Sequence, residues 1–201
     1  VAMFSVFIIN GRPLFYFDTV GYISQGSTAL KQLGITGESP LHARNQAAKA
    51  AGGDPAQAGM AEITANNTVD GSRSATYALL SGVFARIGAL EVLNLLNAVA
   101  VLLAVWLPMR VAQRQLGLHV TLAEMVCLPI IIASFGSLPF FVAYLMPDTF
   151  APVLLLSVAT LTVFGRSMSW WEIVLAICMA SFAVVTHLSH LAIAALMVPA
   201  S

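Results

Sequence analysis

Residues 89–107, ALEVLNLLNAVAVLLAVWL, carry a single charged side chain, Glu91, close to their start. About twenty apolar residues cross the hydrocarbon core of a bilayer, so this run is long enough to do so. A soluble domain carries about a quarter charged residues. This 201-residue chain carries 9%, against 59% hydrophobic, and its mean hydropathy is +0.87. Together these point to an integral membrane protein of the all-α class. The net charge is zero, which leaves no basic face for a nucleic acid, and nucleic acid is excluded as a partner.

Three further apolar runs, 121–135, 150–164 and 171–186, read as spans, the first of them interrupted by Pro129. The opening run, residues 1–9, is too short to cross alone. It reads as the end of a span that begins outside the chain, which makes the chain the fragment of a longer one. Residues 75–88 carry Arg86 and read as an interfacial or re-entrant helix, and the run after His190 is too short to span. The expectation is a polytopic transmembrane helical bundle, one membrane domain over 1–201, with no internal repeat.

Residues 10–74 are polar and read as a long first loop, in which 27–33 and 43–51 can form short surface helices. Gly52, Gly53 and Pro55 break the second of these. The links 108–120 and 165–170 hold Arg110, Arg114 and Arg166, whereas 136–148 holds no Lys or Arg. Positive charge in short loops marks the cytoplasmic side. The first loop, 136–148 and 187–190 then share the extracytoplasmic face. Any site on that face then opens to the side opposite the cytoplasm.

The residues that can carry chemistry gather on that face. Asp18 lies just beyond the opening run, near Arg12, Tyr16 and Tyr22. A carboxylate kept ionised by a cation can take a proton from a hydroxyl, or hold a divalent metal. No metal-ligand set is assigned, and the cofactor stays open with a divalent ion as the one candidate. Asp148 follows Pro147 at the start of a span, where it either serves the reaction centre or caps the helix. His187 and His190 share a face if helical, where they can ligate a metal, contact a phosphate or form a buried hydrogen-bonded pair. Arg73 and Arg86 can clamp a phosphate or touch headgroups. Glu124 and Glu172 open spans and read as structural, and Trp106, Trp170 and Trp171 mark an interfacial belt. Cys127 and Cys178, inside apolar runs, read as small buried hydrophobes. No nucleophile elbow, phosphate-binding loop, dinucleotide fingerprint, CxxC or HExxH is present.

Four stretches resemble the GT-C superfamily of polytopic membrane glycosyltransferases, in its bacterial members. They are RPLFYFDTVGYI after the opening run, Arg73-Ser74-Ala75-Thr76-Tyr77 leading into a helix, SLPFFVAYLMPDTFAPVL, and THLSHLAIA. The resemblance implies transfer of a sugar from a polyprenyl-phosphate donor to a lipid, glycan or protein acceptor, with inversion. It implies that Asp18 is the base or organiser of the reaction centre and that Asp148 supports the acceptor or a metal. Arg12, Tyr22, Arg73, Tyr77, His187 and His190 would bind substrate. The implied partners are the lipid-linked donor and membrane lipids. A non-catalytic accessory or assembly subunit of a larger membrane complex, with partner subunits, is the alternative. A transporter or flippase fragment is a second, against which the clustering of ionisable groups at one surface argues.

Overall fold

The computed structural model describes residues 2–15, 17–37, 74–134 and 137–197. Tyr16, Arg73 and the helix expected at 43–51 lie outside them. Among the described residues all regular structure is helical: α1 (Ser5–Asn10), α2 (Phe17–Gln32), α3 (Ala75–Arg86), α4 (Glu91–Leu116), α5 (Leu122–Ser134), α6 (Leu138–Ala143), α7 (Phe150–Phe164), α8 (Trp170–Thr186) and α9 (Leu188–Met197). Short 3-10 turns occupy Ala2–Phe4, Pro147–Thr149 and Gly165–Ser167. The chain is all-α, with one isolated parallel bridge between Leu14 and Tyr144.

Among the described residues two stretches are long and apolar enough to cross a membrane: α4, 26 residues at mean hydropathy 2.1, and Pro147–Ser167, 21 residues at 1.6. Only 39% and 33% of their apolar windows are buried inside the protein. Their outward faces, with Leu95, Val99, Leu155 and Val163, stay uncovered, unlike those of an enclosed core helix. Leu122–Ile132 and α8 are apolar but shorter.

The polar stretch after residue 10 is not all loop. Gly11, at φ +70°, ends α1 and donates its N–H to the Phe7 carbonyl at 2.9 Å. From Phe17 the chain forms one 16-residue helix that absorbs the short helix expected at 27–33. Its glycines let it lie directly on α3. A Cβ on Gly26 would stand 1.8 Å from the Ala78 carbonyl oxygen, and one on Gly82 would stand 2.6 Å from the Gly26 carbonyl carbon. Arg86, read as a phosphate clamp or a headgroup contact, donates to the carbonyls of Ile35 (2.5 Å) and Ser27 (3.2 Å) and ties the two helices together.

The expected link after Pro108 is helix. α4 runs on through Pro108 to Leu116 and ends at Gly117, φ +62°. Its added turns carry Arg110 and Arg114 to Glu172, which is fully buried in the first turn of α8. Arg110 Nε donates to Oε1 at 3.1 Å, and Arg114 donates to Oε1 at 3.0 Å and to Oε2 at 2.8 Å. The Ser169 N–H reaches Oε2 at 2.8 Å and completes the helix cap. Glu124 makes the same kind of cap on α5, accepting the Thr121 N–H and hydroxyl at 2.8 Å each. Cys127 and Cys178 are exposed rather than buried, because they lie on the outward apolar faces of α5 and α8. Composition is the same on lipid-facing and inward sides, so an apolar run alone cannot separate them.

Gly82→Leu overfills the α2–α3 contact and is expected to destabilise the protein by about 3 kcal/mol. Gly165→Ala, where a Cβ would meet nothing within 4 Å, should leave the thermal midpoint in detergent unchanged. Equal midpoints for the two variants would refute the close approach.

Candidate functional site

Backbone groups that cannot complete a helix must find partners elsewhere. Between α6 and α7 the chain is irregular, and its carbonyls are bound from three directions. Leu14 donates its N–H to the Ala143 carbonyl at 2.8 Å and accepts from the Leu145 N–H at 3.1 Å. Asn94 Nδ2 donates to Val142 (2.7 Å) and Ala143 (2.9 Å), and Asn97 Nδ2 to Tyr144 (3.2 Å). The Thr19 hydroxyl donates to Leu145 at 3.0 Å, and that of Thr149 to Phe141, also at 3.0 Å. The segment bearing Asp18 is thereby fastened to the connection bearing Asp148.

Asp18 lies partly buried in the first turn of α2, where the helix dipole favours a carboxylate. Asp148 lies partly buried in the turn Pro147–Thr149. It does not cap α7, whose N-cap is Thr149 with no side-chain capping bond. Its carboxylate accepts no hydrogen bond from any described residue.

A column of rings crosses the bundle below these acids. Tyr22 meets Tyr77 edge-on at 5.1 Å, Tyr77 meets Phe150 at 6.5 Å, and Phe150 meets Phe182 at 5.1 Å. The Tyr77 hydroxyl is buried and has no hydrogen-bond partner among the described residues. Burial, then the neighbouring Tyr22 and Asp148, hold this phenol above its ordinary pKa and therefore neutral. Ser74, the N-cap of α3, donates its hydroxyl to the Val185 carbonyl and docks Tyr77 against the end of α8.

α8 breaks at His187, whose extended backbone separates it from α9. His187 and His190 therefore do not share a continuous helix, yet their rings lie 5.1 Å apart. His190 is buried, with Nδ1 2.6 Å from the Ala183 carbonyl, which requires the proton on Nδ1. His187 Nδ1 accepts the Ser189 N–H at 3.2 Å. Burial lowers the pKa of His190, His187 lowers it further, and the Ala183 carbonyl and Asp148 oppose the change.

Tyr22, Tyr77, Asp148, His187 and His190 thus form one neighbourhood, and Asp18 sits in the first turn of α2, beside the Thr19 that is hydrogen-bonded to the Asp148 connection. Arg12 is exposed, ahead of the Leu14 bridge. Arg73 lies outside the described residues. Asn94 and Asn97, which position the Asp148 connection, went unnoticed in the sequence. Two amides three residues apart on an otherwise apolar helix are the signal that could have marked them, since buried amides need partners. Among the described residues no group of three His, Cys, Asp or Glu gathers as a metal site.

No family model, curated protein or solved structure matches the chain.

Asn94→Leu leaves the Val142 and Ala143 carbonyls without their side-chain donor and is expected to destabilise by about 2 kcal/mol, read from denaturant or thermal unfolding. The pH profile has a definite sign. Because the folded pKa of His190 lies below its unfolded value of 6.5, the unfolded chain takes up the extra proton first. Stability should therefore fall as pH drops below about 6.5, and His190→Gln should flatten that fall. An unchanged slope in the variant refutes the assignment.

Proposed function

We propose that the chain is a polytopic membrane protein that transfers a sugar from a polyprenyl-phosphate donor to a hydroxyl acceptor. The observation that carries this reading is the hydrogen-bonded fastening of the segment bearing Asp18 to the Asp148 connection, through the Leu14 backbone and the Thr19 hydroxyl. It holds two carboxylates, two tyrosines and two histidines at one end of the bundle, where an acceptor and a lipid phosphate can meet. The uncovered apolar faces of α4 and α7 support a position in the bilayer. The arginines at the opposite end support a cytoplasmic location for that end, so the acids face the periplasm of a bacterial cell.

In this reading Asp18 takes the proton of the acceptor hydroxyl as its oxygen attacks the anomeric carbon. The bond from that carbon to the lipid phosphate breaks, the phosphate leaves with the electron pair, and the anomeric configuration inverts. Asp148, which accepts no hydrogen bond from the described residues, holds the acceptor. Tyr77 supplies a neutral donor, His187 with Arg12 serves the departing phosphate, and Arg73 is the further basic residue that the sequence offers for it. The steps use the chain's own side chains, and a divalent ion bound by the carboxylates would add charge stabilisation at the leaving phosphate.

The test is transfer of labelled sugar from a panel of polyprenyl-phosphate hexoses and pentoses in membranes carrying the protein. Asp18→Asn should lower the turnover rate by about a hundredfold or more, as expected for loss of a general base. Asp148→Asn should mainly raise KM for the acceptor. Absence of transfer from every donor, with folded protein in the membrane, overturns the enzyme reading in favour of an accessory subunit.

A further inference from the structure

The C-terminal end of α4 carries a second polar cluster that the transfer reaction does not use. A cavity of about 390 Å³ opens there, lined by Arg110, Gln113, Arg114, His119 and Met125. A second cavity of about 260 Å³ lies between α4 and α5, lined by Leu102, Leu103, Trp106, Met125, Val126 and Pro129. Met125 lines both, so a basic head and an apolar slot adjoin. From Arg110 back to Leu102 the helix rises about 12 Å, the depth of several methylenes of an acyl chain.

The head is built for an anion. Arg110 and Arg114 share one acid, Glu172, which leaves the trio with an excess positive charge. Glu124, the acid at the start of α5, is turned onto Thr121 and does not line the cavity. The Arg110 guanidinium packs against a pair of neighbouring indoles, 5.2 Å from the Trp106 centroid and 5.1 Å from that of Trp171. Its Nε is committed to Glu172, and its two terminal nitrogens have no acceptor among the described residues. A planar donor fork held in place beside a half-exposed surface suits phosphate oxygens.

We infer that this α4–α5 groove binds an anionic phospholipid, its phosphate at Arg110 and one acyl chain along Trp106 and Val126. Charge selects the headgroup, because basic pockets between membrane helices attract anionic lipids. The adjoining slot selects a lipid over a soluble phosphate. This site requires α4 and α5 to lie in a bilayer, and it is independent of sugar transfer at Asp18.

The three tryptophans of the chain, Trp106, Trp170 and Trp171, make emission a local probe. Trp170→Phe removes the one furthest exposed, at 76%. The protein is reconstituted in nanodiscs that contain phosphatidylglycerol or phosphatidylcholine with brominated acyl chains, and quenching is titrated against lipid fraction. The expected result is about fivefold tighter association of the anionic lipid, the effect of roughly one basic charge at a membrane surface. Arg110→Gln should abolish the preference. Met125→Phe, which lies outside the ion pairs, should weaken quenching by both lipids if Arg110→Gln fails to fold. Equal quenching by the two lipids in the unaltered protein would mean ordinary boundary lipid and overturns the proposal. Full displacement of the anionic lipid by millimolar inorganic phosphate overturns it too, in favour of a soluble anion.

Discussion

The irregular backbone between α6 and α7 is the constraint on which the rest of the structure depends. Backbone that leaves the helix inside a packed bundle exposes carbonyls and amides that apolar neighbours cannot satisfy, and it persists only where other groups satisfy it. Here the partners come from α4 through Asn94 and Asn97, from the strap before α2 through Leu14, and from α2 itself through Thr19. Each donor fixes the element that bears it. The strap cannot shift without breaking the Leu14 bridge, and α4 cannot rotate without withdrawing its amides. The position of Asp148 is a by-product of these bonds, because it lies one turn beyond the satisfied carbonyls.

The two ends of the bundle solve the problem of burying polarity differently. At the Asp148 end, neutral amides and hydroxyls bond backbone, and the titratable groups stay partly exposed or, like His190, are held neutral. At the other end a fully buried carboxylate is accepted because two arginines and a backbone N–H surround it. The aromatic column from Tyr22 to Phe182 links α2, α3, α7 and α8 between them. Large rings in edge contact give this column shape without further polar groups.

Much of this was legible in the sequence where local composition decides the outcome. The helical class, the helix expected at 75–88 and found at 75–86, and α7 and α8 within a residue of their expected bounds follow from apolar runs bounded by polar or helix-breaking residues. The rest depends on contacts distant in sequence. Glycines that signal a loop become a helix in α2 because Gly82 of α3 accepts their close approach. Pro108 signals a stop, yet the helix continues because Glu172, far along the chain, holds the arginines beyond it. Asp148 invited a capping role, but a 3-10 turn intervenes and Thr149 takes the cap position. The acids and histidines were recognisable as polar groups in apolar surroundings. Their helpers Asn94 and Asn97 were not, because amide partners are identified only once the chain is folded.

α4 is pinned near both ends, by the amides of Asn94 and Asn97 to the α6–α7 connection and by Arg110 and Arg114 to α8. Between Glu91 and Arg110 the helix rises about 28 Å, close to the 30 Å or so of an ordinary hydrocarbon core. A helix held at one end can tilt to meet a thicker or thinner bilayer. One held at both ends can tilt only with the whole bundle. Any difference in thickness must then be taken up by the surrounding lipid, which thins or stretches at the protein boundary. For the bilayer position proposed above, the same bonds that shape the two polar ends set a preferred bilayer thickness, and membranes away from that value would hold this protein under elastic strain.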